Sequence, residues 1–132
     1  MTSGTSSESP LSVTAQDYAD CRLVTVSGRI DHTNSDRFQS EISDHASKAG
    51  RDGGVVIDLT ALEFITSAGL RALLLAQRTV IAAGSKLVIT GIRGVVGEVF
   101  RISKFDALMT ISASPAEAVA EISAAAAEAY AG

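Results

Sequence analysis

Apolar and polar residues alternate along Leu11-Ser12-Val13-Thr14-Ala15, the rhythm of a strand with one buried face. Tyr18-Ala19-Asp20 reads as a turn. Cys21-Arg22-Leu23-Val24-Thr25-Val26 is then a second strand, folded back on the first as a hairpin. From there the rhythm lengthens: Phe38, Ile42 and Ala46 recur at helical spacing, which predicts a helix over Thr33 to Lys48 with those side chains inward. Thr33 is placed to cap it, Asp36 suits the first turn, and Asp44 and Lys48 form a pair one turn apart on the wet side. Ala49 to Gly54 breaks that helix, and the apolar run Val55 to Leu59 reads as a buried strand. A second helix runs from Ser67 to about Ala83 and is closed by Gly84. At about 100° per residue, Leu70, Leu73, Leu74 and Ile81 share one arc that can pack on a sheet, with Gln77 falling unexplained among them.

The remaining third repeats the pattern more weakly. Lys86 to Thr90 is a strand, and Gly91 to Lys104 holds a short helix with Val95, Val96, Val99 and Ile102 on its apolar side. Ala107 to Ile111 reads as a last short strand. Ser114-Pro115-Ala116-Glu117 is a capping box with proline at the first helical position. The helix it opens turns Val119, Ile122, Ala126 and Tyr130 one way and Glu117, Glu121 and Glu128 the other. The element order is ββαβαβαβα. Two leading strands followed by alternation predict an α/β fold, a mixed, mostly parallel sheet with about four helices packed on it.

Composition narrows this picture. The chain has 132 residues, 46% of them hydrophobic, enough for one domain with a real core. Met1 to Pro10 is rich in Ser, Thr and Gly and reads as a flexible tail, leaving residues 11–132 as the domain. A net charge of -4 with no basic block argues against nucleic acid as a partner. The longest apolar run is far short of a membrane span, and no basic-then-apolar leader opens the sequence, so neither membrane insertion nor export is expected. The one cysteine, Cys21, permits no intramolecular disulfide and fits a reducing cytoplasm; at the start of a strand it reads as a small core residue.

The most informative stretch is Val55 to Leu74, VVIDLTALEFITSAGLRALL. A strand feeds a helix through Thr66-Ser67-Ala68-Gly69, which puts Ser67 at a helix N-terminus, where free N–H groups and the helix dipole favour an anion. A phosphate on that serine would meet a suitable site. On the helix, Ser67, Arg71, Leu75 and Arg78 fall on one stripe roughly opposite the core arc, which makes Leu75 an apolar residue among exposed ones, either an ordinary exposed leucine or part of a docking face.

Asp58-Leu59-Thr60, followed by Phe64-Ile65-Thr66-Ser67-Ala68-Gly69-Leu70, resembles the signature of STAS domains, in particular the bacterial anti-sigma factor antagonists. Their usual form is Asp-Leu-Ser, a spacer, then Asp-Ser-Ser-Gly-Leu. Thr66 stands where that family most often has Asp, and Ala68 where it has a second Ser. Gly28-Arg29-Ile30-Asp31 is similar to the Gly-x-Leu-Asp stretch that precedes the family's first helix. The resemblance implies the STAS fold over about Leu11 to Ile122. It implies a phosphorylation-switched binding module with Ser67 as phosphoacceptor and Thr66 as the alternative hydroxyl. Asp31, Thr66, Ser67, Ala68 and Gly69 would lie at the contact, with Arg71 and Leu75 extending it along the helix, while Asp58 positions the loop. The implied partners are an anti-sigma factor that is also a serine kinase and a metal-dependent serine phosphatase, in the cytoplasm. The same resemblance admits a subunit docking on a membrane transporter or ATPase, or a scaffold of a sensory complex.

Other chemistries find no support in the residues. A hydrolase nucleophile elbow needs Gly-x-Ser-x-Gly, but Ile65 stands two before Ser67, and His32 and His45 both precede it. Gly91, Gly94 and Gly97 do not spell a dinucleotide fingerprint, and no Gly-Lys-Ser/Thr follows a glycine-rich loop. Two scattered histidines and one cysteine make no metal set, so neither a cofactor nor an enzyme activity is expected.

Overall fold

The computed structural model describes residues 10–132, so the expected tail lies outside the described residues apart from Pro10. Strands β1 (Ser12–Tyr18) and β2 (Cys21–Ile30) form the expected antiparallel hairpin, with Ala19 at its turn in the left-handed region (φ 57°). Helix α1 (Ser35–Ala49) leads to β3 (Gly54–Asp58), which lies parallel to β2. Then come β4 (Leu62–Ile65), α2 (Ser67–Ala82), β5 (Lys86–Thr90) and α3 (Gly94–Ser103). A 3-10 turn (Phe105–Ala107), β6 (Ile111–Ser112), α4 (Pro115–Ile122) and α5 (Ala124–Ala131) complete the chain. The sheet order is β1-β2-β3-β5-β6, parallel from β2 onward, and β4 pairs with the far end of β2.

Two layers of helix explain why β3 is apolar throughout. Val55 and Ile57 enter the core shared with Phe38 and Ile42 of α1, Leu70 and Leu73 of α2 and Phe100 of α3. Val56, between them, faces the opposite core with Cys21, Val88, Val119 and Ile122 under α4 and α5. A strand covered on both faces loses the polar half of its alternation.

Several expectations are corrected. Helix α1 starts after Asn34 with no side-chain cap: Asp31 holds both the N–H and the hydroxyl of Thr33 in a turn before the helix, and the Asn34 side chain accepts the Asp31 N–H at 3.0 Å. The short β4 was not foreseen. In α2 the buried stripe is Leu70, Leu73 and Val80 with the small residues Gly69, Ala72 and Ala76, so the helix is rotated and Ile81 is 59% exposed. The flanking Gln77 gains a reason: its amide donates to the Leu108 carbonyl at 3.3 Å. Val96 and Phe100 anchor α3, whereas Val95 and Ile102 point outward. The strand expected at Ala107 to Ile111 shrinks to Ile111 and Ser112, since the 3-10 turn occupies its start. The last helix divides at Ser123, whose hydroxyl donates to Asp20 at 2.5 Å and accepts the Ala126 N–H at 3.0 Å. The Ser114 cap holds, accepting the Glu117 N–H at 3.2 Å with Pro115 next in line.

Candidate functional site at the start of α2

Ser67 owes its position to two neighbours. The Thr66 N–H donates to the Ile30 carbonyl at 3.0 Å, tying the end of β4 to the end of β2. Thr66 then caps α2: its backbone is extended (φ -96°, ψ 176°) and its hydroxyl accepts the Gly69 N–H at 3.4 Å. That hydroxyl also donates to the Ile30 carbonyl at 3.4 Å. Ser67 is therefore the first helical residue. It is exposed, and its hydroxyl has no partner among the described residues. The Gly69 N–H is taken by the cap, while those of Ser67 and Ala68 belong to the first turn, which has no intrahelical acceptor.

Gly69 is buried rather than presented. A Cβ there would lie 2.6 Å from Ile65 Cγ1 and 3.0 Å from the Ile30 carbonyl oxygen. Its absence lets α2 start hard against β2 and β4, so this residue sets the position of the site. Ala68 is half-buried and Arg71 exposed. Both line a shallow groove of about 170 Å³ between α1 and α2, with Leu75 and, from α1, Ser35, Asp36 and Gln39. Leu75 is half-buried in that groove and not a lone exposed leucine.

Asp31 follows β2 directly, one residue past the carbonyl that holds Thr66. Its Oδ1 accepts the Thr33 N–H at 2.9 Å and the Thr33 hydroxyl, and its Oδ2 lies 3.7 Å from Arg29 Nε. The Thr33 donors, helped by His32 and Arg29, hold its carboxyl below the usual carboxylate range, so it is an anion at neutral pH. Arg29 is also stacked 5.4 Å from the Phe64 ring centre. Sequence reasoning missed the pairing of Arg29 with Phe64 and the three α1 residues beside α2, because only tertiary packing brings them together.

Asp58 stands apart from this cluster. Its Oδ1 accepts the Thr60 N–H at 3.0 Å and the Thr60 hydroxyl at 2.6 Å. Gly91, in the left-handed region (φ 81°), closes over that turn; a Cβ on it would come within 2.3 Å of the Thr60 hydroxyl. The Asp-Leu-Thr stretch thus locks the loop leaving β3.

The fold agrees with what the chain resembles. A family model described as the STAS domain matches residues 12–118. A protein described as a candidate anti-sigma factor antagonist, BtrV of Bordetella bronchiseptica, is 31% identical over 98 residues, 74% of this chain and 83% of BtrV. The chain belongs to the STAS-domain family. Among solved structures, an anti-sigma factor antagonist from Mycobacterium paratuberculosis superposes with a TM-score of 0.74 at 18% identity, covering 86% of this chain and 94% of that one. The anti-sigma factor antagonist SpoIIAA in its unphosphorylated form gives 0.67 at 18% identity, covering 84% and 96%. Those two likenesses speak for the fold. No helix among the described residues is long and apolar enough to cross a membrane.

Proposed function

We propose that this protein is an anti-sigma factor antagonist, a cytoplasmic binding module switched by phosphorylation of Ser67. Unphosphorylated, it docks on an anti-sigma factor that is also a serine kinase and so frees the sigma factor. Phosphorylated by that kinase, it lets go, and a metal-dependent serine phosphatase resets it. The observation that carries the reading is the exposed, unpartnered hydroxyl of Ser67 at the first position of α2. Thr66 is the poorer acceptor, because its hydroxyl is part-buried and engaged as the helix cap. BtrV, a relative matched over 74% of this chain, is described as a candidate anti-sigma factor antagonist, which supports the reading.

The contact surface combines Ser67, Ala68 and Arg71 with Leu75 and the facing Asp31, while Thr66 and Gly69 hold it in shape. Affinity capture on the immobilised protein, with bound proteins identified by mass spectrometry, tests the partner; an anti-sigma factor kinase is expected. Incubation with that kinase and ATP should then add one phosphate to the wild type and none to Ser67→Ala. Phosphate still appearing on Ser67→Ala, mapped to Thr66, would move the switch by one residue.

A further inference from the structure

The strand that sequence reasoning expected at Ala107 to Ile111 would have covered the whole outer edge of β5. In its place β6 pairs with β5 at only two positions, Ile89 with Ile111 and Thr90 with Ser112. The rest of that edge is open. The Lys86 N–H donates to Gly53 and the Thr90 carbonyl accepts from Leu59, so Lys86, Val88 and Thr90 turn their backbone groups toward β3. Leu87 and Ile89 turn theirs outward. The Ile89 N–H finds the Thr110 carbonyl at 2.8 Å, whereas the N–H and C=O of Leu87 have no partner among the described residues. They lie in a groove of about 280 Å³ along the edge, with Gln77 and Ile81 of α2 on one bank and Glu121 of α4 on the other.

Polar side chains line most of this groove, but two large apolar side chains beside it face solvent. Ile81 is 59% exposed and Leu108 55%, and the Gln77–Leu108 hydrogen bond places the turn that carries Leu108 against α2. Two exposed large apolar residues beside an unfinished sheet edge mark an interaction surface. Its charges indicate what covers it. Lys86 and Glu121 line the same groove, on the α4 side of the sheet, yet make no ion pair with each other. The Lys86 ammonium instead rests on the Ile122 carbonyl at 3.2 Å.

We infer that this edge is a homodimer interface, covered by a second copy of the chain about a two-fold axis. An axis perpendicular to the sheet keeps each helix layer on its own side. It sets Ile81 and Leu108 of one copy against the same residues of the other, and Lys86 of each against Glu121 of its partner. A patch carrying one cation, one anion and its own apolar centre is self-complementary, as a two-fold interface requires. The Ser67 end of α2 stays free, since fourteen residues at 1.5 Å each put it about 21 Å from Ile81 along the helix. The inference is independent of the phosphorylation reading.

Sedimentation velocity of the full chain across a concentration series up to millimolar tests it. A reversible monomer–dimer equilibrium is expected. Ile81→Asp and Glu121→Lys should each raise the dimer dissociation constant about tenfold or more. The double variant Lys86→Glu with Glu121→Lys should recover most of the loss, because the pairing is restored with its signs exchanged. Ile102→Asp, an equally drastic change on the surface of α3, should leave the equilibrium where it was. Circular dichroism of each variant confirms that the fold is kept. A monomer at every concentration, or a dimer indifferent to both Ile81→Asp and Glu121→Lys, would overturn the inference.

Discussion

Thr66 and Ser67 are adjacent hydroxyls that differ in their hydrogen bonding. Thr66 spends its oxygen on the Gly69 N–H and its proton on the Ile30 carbonyl; Ser67 spends neither. Thr66→Ala should therefore cost stability, about 1 kcal/mol for a lost helix cap. It should lower the thermal midpoint while leaving phosphate incorporation intact. A variant that melts like the wild type but takes no phosphate would assign Thr66 to recognition instead of capping. Gly69 carries the opposite kind of constraint. Alanine normally favours a helix over glycine by up to ~1 kcal/mol. Here the added methyl meets a backbone carbonyl oxygen at 3.0 Å and Ile65 at 2.6 Å. Since overpacking typically costs ~1–3 kcal/mol, the clash should win. Gly69→Ala is expected to unfold at lower urea; an unchanged or raised midpoint would mean that β2 and α2 can separate without loss. Ser67 was legible in the sequence because its strand, turn and helix are contiguous there. The cap assignment by one residue was not, since it depends on the Ile30 carbonyl of a distant strand.

At the scale of the element, α1 and α2 illustrate what periodicity can and cannot reveal. The stripe Phe38, Ile42 and Ala46 was plain because two large residues one turn apart mark it, and all three are buried. The stripe of α2 is hidden by Ala72 and Ala76, which weigh little in any hydrophobic pattern yet face the core. Reading leucines alone rotates the helix toward Ile81. The same rotation puts Leu75 at the α1 groove, half-buried, and Leu73 in the core. Leu73→Ala should then cost about 2–5 kcal/mol in urea unfolding, as for a core leucine. Leu75→Ala should cost roughly 1 kcal/mol, in proportion to its partial burial. It should nonetheless weaken partner binding. Equal losses for the two would place Leu75 in the core and remove it from the docking face. Two other elements escaped because their causes are tertiary: β4 is four residues held by the end of β2, and the break at Ser123 follows from its bond to Asp20.

For the molecule as a whole, ββ followed by alternation was enough to foresee a mixed, mostly parallel sheet, because each α/β crossover is declared locally by a change of period. Which helices share a face was not declared. The structure puts α1, α2 and α3 on one side and α4 and α5 on the other, and so brings the α1 residues Asp36 and Gln39 beside Ala68 and Arg71. This arrangement also says how a phosphate on Ser67 can act. It adds one to two negative charges at neutral pH. They arrive at the positive end of α2, where an exposed anion is worth typically ~0.3–1 kcal/mol in favour of the helix. The fold should survive while the Ser67 side chain changes from neutral to anionic on a surface that already carries Asp36 and Arg71.

Titration calorimetry of the captured anti-sigma factor with the unmodified protein and with its Ser67-phosphorylated form is therefore the most direct test. The account predicts that phosphorylation weakens binding about tenfold or more, which corresponds to at least ~1.4 kcal/mol of affinity. Equal affinities for the two forms would contradict it and leave Ser67 as an ordinary residue of the first turn.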